Sequence, residues 1–217
     1  MNHPDSNSIL DLRLGQFLER LGSSDPTPGG GAAASVVGAL GAALVEMTAN
    51  LTIGRPRLAA VQDQAQRIER LAADLRVRLE RLGDADTEAF DQVTAAYKLP
   101  RGDDAQKAAR SQAIQSALRA AADVPLETVR ISSEVIDLAE EAAPLLNSAV
   151  ISDVLVGALL AQAALESAAL NVEINLASMT DAATIERYST ELARAREGVA
   201  EGVERILATG RSRFPGK

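Results

Sequence analysis

The stretch GAAASVVGALGAALVEMTANLTI, Gly31 to Ile53, decides the fold of this chain. It is dominated by alanine and small or branched aliphatic residues, it holds one charge (Glu46), and it contains no proline. Alanine is the best helix former and a weak strand former, so the stretch predicts a helix. Gly38, Gly41 and Ala42 recur at spacings of three and four, which puts small side chains on one face. Such a face lets a second helix axis approach closely.

The same character extends through the chain. Of 217 residues, 41 are alanine, 47% are apolar and only 2% are aromatic, so the core is built from Ala, Leu, Val and Ile. Leu10, Leu14, Phe17, Leu18 and Leu21 mark a first helix, capped by Ser8. Ile68, Leu71, Leu75, Leu79 and Leu82 mark a third, which Gly83-Asp84 is expected to break. Another helix runs from Asp84 to Leu99 and stops at Pro100. The next begins at Asp103 or Asp104 and reaches about Ala143, with Pro125 predicted to kink or split it. A turn at Pro144 to Ser148 leads into a long apolar helix ending near Met179, with Gly157, Ala161, Ala164 and Ala168 on one face. A last helix ends near Thr209-Gly210. The expectation is an all-α, single-domain bundle of long helices, packed as a homodimer. Residues 1–8 form a leader, 9–210 the domain and 211–217 a tail.

Composition removes several chemistries. There is no Cys, and the one His is His3 in the leader, so thiol catalysis, serine triads and His- or Cys-based metal sites lack residues. No metal is expected. The net charge of −8 argues against nucleic-acid binding. Glu46, and Asp153, Glu166 and Glu173 in the later apolar helix, are costly in lipid, so no membrane is expected. With no basic, apolar leader, the expected location is the cytoplasm.

Three segments carry polar groups in positions that point to chemistry. In Pro26-Thr27-Pro28-Gly29-Gly30-Gly31, the prolines stiffen a loop and the glycines permit φ > 0 and close approach of a ligand. A helix start follows, with free N–H groups. The alternative is a plain turn before a small-residue helix. In DTEAFDQVTAAYKLP, Phe90, Val93 and Tyr97 form an apolar stripe, and Thr87, Asp91, Thr94 and Lys98 a polar one beside it. Asp91 and Lys98 are about 10 Å apart along the axis and can bracket a small reacting group, or simply face solvent. In the later apolar helix, Asp153, Asn171 and Asn175 share a face, as ligand contacts or as a cap and interhelical bonds.

Taken in order, TPGGGAAASVVGALGAALVEMTANLT, DTEAFDQVTAAYKLPR, ADVPLETVR, EVIDLAE, ISD and SAALNVEINL resemble the cyclodeaminase/cyclohydrolase family over nearly the whole chain. The resemblance implies a dimeric all-α enzyme of tetrahydrofolate one-carbon chemistry. It points to hydrolysis of 5,10-methenyltetrahydrofolate to 10-formyltetrahydrofolate. The alternatives are cyclisation of the 5-formimino compound with loss of ammonia, or folate binding without turnover. A tetrahydrofolate derivative is then the substrate, and no cofactor is permanently bound. On this reading Asp91 is the general base or faces the cation, Lys98 donates a proton or positions water, and Asp153 orients the pterin or shares the proton work. Pro28, Gly29, Gly30 and Gly31 form the close wall, and Asn171 and Asn175 bond polar edges. Where the family has a Lys-rich run ending in an aromatic, this chain reads Gly54-Arg55-Pro56-Arg57-Leu58. Arg55 and Arg57 hold the glutamate tail, or belong to a solvated helix start.

Overall fold

The computed structural model describes residues 8–214, so His3 lies outside the described residues. Among the described residues seven α-helices follow one another: α1 (Leu14–Leu21), α2 (Gly30–Asn50), α3 (Gln62–Tyr97), α4 (Asp104–Leu145), α5 (Ile151–Leu176), α6 (Ala182–Arg196) and α7 (Val199–Ser212). Among the described residues there is no strand. Short 3₁₀ turns stand at Ile9–Asp11, Pro56–Val61 and Ser148–Val150.

Helices α2, α3, α4 and α5 form a four-membered ring in that order, each packed on its two neighbours. α6 and α7 lie outside against α4 and α5. The small-residue faces meet as the spacing predicts. A Cβ on Gly41 would sit 2.8 Å from the Gly157 carbonyl oxygen, and one on Gly157 would sit 2.8 Å from that of Gly41. The two backbones touch directly, which only glycine allows. Around this crossing Ala42, Val45, Ala158 and Ala161 are fully buried.

Two predicted breaks are absent. α3 runs unbroken through Gly83, because that glycine serves packing: a Cβ there would lie 2.5 Å from Ile9 Cδ1. α4 runs unbroken through Pro125 and Pro144. Pro125 has no N–H to give to the Ala121 carbonyl, and the Asn175 side-chain amide donates to that carbonyl instead, at 3.1 Å. The first predicted helix is divided into the Ile9–Asp11 turn and α1. At the other end α7 reaches Ser212, two residues into the predicted tail, and Arg213 donates to the Ala143 and Leu146 carbonyls at the end of α4.

α2 and the stretch Ser148–Leu176 are long and apolar enough to cross a membrane. In the fold they are neighbours packed on each other, each with one face buried and the other open. The open face carries Leu40 and Met47 on α2, and Val156, Leu159, Leu170 and Ile174 on α5. Ion pairs join the helices outside the core, among them Arg76 with Glu46, Arg78 with Glu127 and Arg130 with Glu191. Pairs this exposed contribute about 0–1 kcal/mol each, whereas a fully buried Leu or Ile contributes about 1.5–3 kcal/mol. The aliphatic core therefore sets the fold.

Candidate active site

At the start of α2 a cavity of about 370 Å³ opens between the glycine loop, α3, α4 and α5. That is within the range of small-ligand sites. Its lining includes Pro26, Thr27, Gly29, Gly30 and Gly31; Asp86, Phe90, Val93 and Tyr97 of α3; Leu118 and Ala121 of α4; Asn171, Ile174 and Asn175 of α5; and Ser178. Phe90, Tyr97 and Ile174 are exposed and form an apolar rim. The Arg110 guanidinium stands 5.6 Å from the Tyr97 ring centroid and donates to the Tyr97 carbonyl.

Asp86 is the carboxylate of this cavity. Its Oδ2 accepts the Ala32 N–H at 2.9 Å, in the first turn of α2. A Cβ on Gly31 would lie 2.0 Å from Asp86 Oδ1, so the carboxylate occupies the space a side chain would take. Burial pushes its pKa above the ordinary 3.8, against the lowering effect of the Ala32 N–H. A carboxyl group with a raised pKa, in a cavity and at a helix start, is suited to carrying a proton.

The glycines act here through close approach and not through φ. Gly29 is extended, and among the described residues only Gly54 and Gly198 have positive φ. Gly31 is the glycine the site requires, since a Cβ on Gly30 would make only ordinary contacts of 3.6 Å with Asn171. Pro28 follows a cis peptide bond, is buried, and supports the loop without lining the cavity.

Asn171 and Asn175 face the cavity with fixed orientations. Asn171 Nδ2 donates to the Ser167 carbonyl at 2.9 Å. Asn175 Nδ2 donates to the carbonyls of Asn171, at 2.8 Å, and Ala121, at 3.1 Å. Every partner is a carbonyl, so the NH₂ groups are assigned by chemistry.

The other predicted residues stand elsewhere. Asp91 is exposed and lines a separate depression with Ser8, Asp84, Thr87 and Glu88. Lys98 is exposed at the C-terminal cap of α3. The reason is helical phase. From Asp86, at about 100° per residue, Phe90, Val93 and Tyr97 return to within about 40° of the same direction, whereas Asp91 and Lys98 point about 140° and 120° away. Asp86 therefore belongs to the apolar stripe, one turn before Phe90. A carboxylate continuing an apolar stripe was the signal available in the sequence. Asp153 lies in the first turn of α5, about 27 Å along the axis from Asn171. Arg55 and Arg57 are exposed beyond the far end of α2, about 30 Å from its glycine start.

Comparison with known proteins places the fold and the family. The family model described as formiminotransferase-cyclodeaminase matches residues 13–194. A methenyltetrahydrofolate cyclohydrolase of Methylorubrum extorquens is 46% identical, over 91% of this chain and 95% of that protein. The formimidoyltransferase-cyclodeaminase of Rattus norvegicus is 35% identical over 82% of this chain, which spans only 34% of that longer protein. The crystal structure of formiminotetrahydrofolate cyclodeaminase from Thermotoga maritima superposes with a TM-score of 0.83 at 31% identity, covering 93% of this chain and 96% of that one. Asp86, the glycine start of α2 and the paired asparagines thus sit within a chain that belongs to the formiminotransferase-cyclodeaminase family.

Proposed function

We propose that this protein hydrolyses 5,10-methenyltetrahydrofolate to 10-formyltetrahydrofolate. The observation that carries the reading is the Asp86 carboxylate, held in a cavity of suitable size in a chain 46% identical to a methenyltetrahydrofolate cyclohydrolase.

The methenyl carbon is a cationic amidinium carbon and needs no further activation. Water adds to it and must lose a proton; the bond from that carbon to N5 then breaks, and N5 must gain one. Asp86 takes the proton from the attacking water and returns a proton to N5 as the ring opens. Its negative charge also stabilises the cationic substrate. The net reaction consumes one water and releases one proton. Gly31 and the Ala32 N–H keep the carboxylate in place. The rim residues Phe90, Tyr97 and Ile174 supply apolar walls for the pterin and its aryl extension.

The second reading is cyclodeamination of 5-formiminotetrahydrofolate, favoured by the solved cyclodeaminase at 31% identity. It passes through the same cyclic carbon, with ammonia as leaving group. Loss of the methenyl absorbance on adding enzyme supports the first reading, and ammonia release from the formimino compound supports the second. If neither reaction exceeds the buffer rate, both fail.

The working form is a homodimer. The open apolar face of α2 and α5 supports this, because a contiguous apolar face of this kind requires cover. A two-fold that runs the α2 helices antiparallel brings the Arg55–Arg57 end of one copy toward the glycine end of the other. That keeps both arginines as candidates for an anionic tail.

A further inference from the structure

We propose that Asn171 and Asn175 determine ligand specificity by reading an edge made of N–H donors, with Pro125 as the positioning residue that fixes Asn175. The inference rests on the folate reading above and adds how the pterin is told from its analogues.

The argument starts in α4. Pro125 lies inside an unbroken helix and has no N–H for the Ala121 carbonyl four residues before it. Ala121 is buried, so that carbonyl needs another donor. Asn175 Nδ2 supplies one at 3.1 Å and spends its other proton on the Asn171 carbonyl at 2.8 Å. Asn171 Nδ2 in turn bonds the Ser167 carbonyl. Neither amide can turn over without setting an oxygen against a carbonyl oxygen.

Both residues line the cavity, and among the described residues neither Oδ1 receives a hydrogen bond from the protein. The two amide oxygens on this wall are acceptors without protein donors, so the matching ligand edge carries donors. The 2-amino and N3–H groups of an aminopyrimidinone are such an edge. An analogue bearing a methyl group there leaves an amide oxygen without a partner, and a site built to hydrogen-bond a ligand N–H discriminates against an analogue that lacks it.

The test compares binding of tetrahydrofolate and 2-desamino-2-methyl-tetrahydrofolate by calorimetry, with methenyl hydrolysis measured alongside. The wild type is expected to prefer the amino compound by about 30-fold or more. Asn175→Ala and Asn171→Ala should each reduce that preference to within a few-fold. Pro125→Ala leaves both asparagines in place but restores an N–H to Ala121. It should lower the preference about tenfold while retaining or raising helical stability, a separation that a purely structural role of Pro125 would not give. A variant whose circular dichroism departs from wild type is replaced by Asn175→Ser, which is smaller, polar and expected to show the same loss. An unchanged preference in the folded variants, with hydrolysis intact in the wild type, overturns this proposal alone. A wild type that neither binds nor hydrolyses folates overturns the folate reading and this proposal with it.

Discussion

Asp86 accepts a hydrogen bond from the Ala32 N–H across 54 residues of sequence, and the intervening Gly31 has no side chain to keep them apart. One carboxylate thereby caps the central helix and faces the cavity. Asp86→Asn keeps the shape and removes the ability to carry a proton. It should lower kcat for methenyl hydrolysis by about 100-fold or more, with helical circular dichroism unchanged. Asp91→Asn, on the other side of α3, should stay within about threefold of wild type, since an exposed side chain off the reacting wall contributes little. Steady-state kinetics on the two variants separates the carboxylates, and the opposite ranking would remove Asp86 from the mechanism.

Gly31 is the second point of leverage. In Gly31→Ala the new Cβ would fall 2.0 Å from Asp86 Oδ1, so the carboxylate must move. Activity should drop at least about tenfold, with a stability loss of about 1–3 kcal/mol from overpacking. Gly30→Ala has room and should fold as wild type. Urea melts and turnover measured on both proteins check this.

The pH dependence follows from burial of Asp86, which raises its pKa above 3.8. Below 3.8 the group is protonated in both folded and unfolded chains and has no differential effect. Between 3.8 and the raised native value, the folded state binds more protons than the unfolded one. Stability therefore falls as pH rises through that window, and the loss stays constant above it. Asp86→Asn should remove this component, read as the difference between wild-type and variant urea midpoints across acid pH. Activity runs the other way. The base form carries catalysis, so kcat/KM should rise with pH through a midpoint above 3.8.

The open face of α2 and α5 predicts an assembly. Light scattering at micromolar concentration should give a dimer for wild type, and Leu159→Arg combined with Leu40→Arg should shift it toward monomer. Both side chains are about half exposed in one copy, so the substitutions spare the core. A monomeric wild type would discard the two-fold.

Much of this architecture is legible in the chain. Small residues at spacings of three and four on α2 and α5 announce the contact later seen between Gly41 and Gly157. The resemblance of the motifs to a folate-enzyme family agrees with the match over residues 13–194. What the chain conceals is tertiary. Gly83 and Pro125 are ordinary stop signals in isolation, and they stay helical because Ile9 packs on one and Asn175 bonds beside the other. The stripe of α3 that faces the cavity lies one strip round from the polar stripe that stands out in the sequence. Asp91 lies among polar neighbours and stands out in the sequence, while Asp86, which lines the cavity, sits on the apolar strip with Phe90 and Tyr97.

The direct contact of Gly41 with Gly157 also constrains how the chain reaches its native state. α2 emerges early and α5 only after two further long helices, so an alanine-rich, membrane-like segment must wait for its partner. Contacts this distant in sequence slow folding relative to bundles built from neighbouring hairpins. The vulnerable interval is therefore synthesis itself, when α2 is complete and its groove is empty. Any change that delays α5 should show first as aggregation of nascent chains, before any loss of stability in the finished protein.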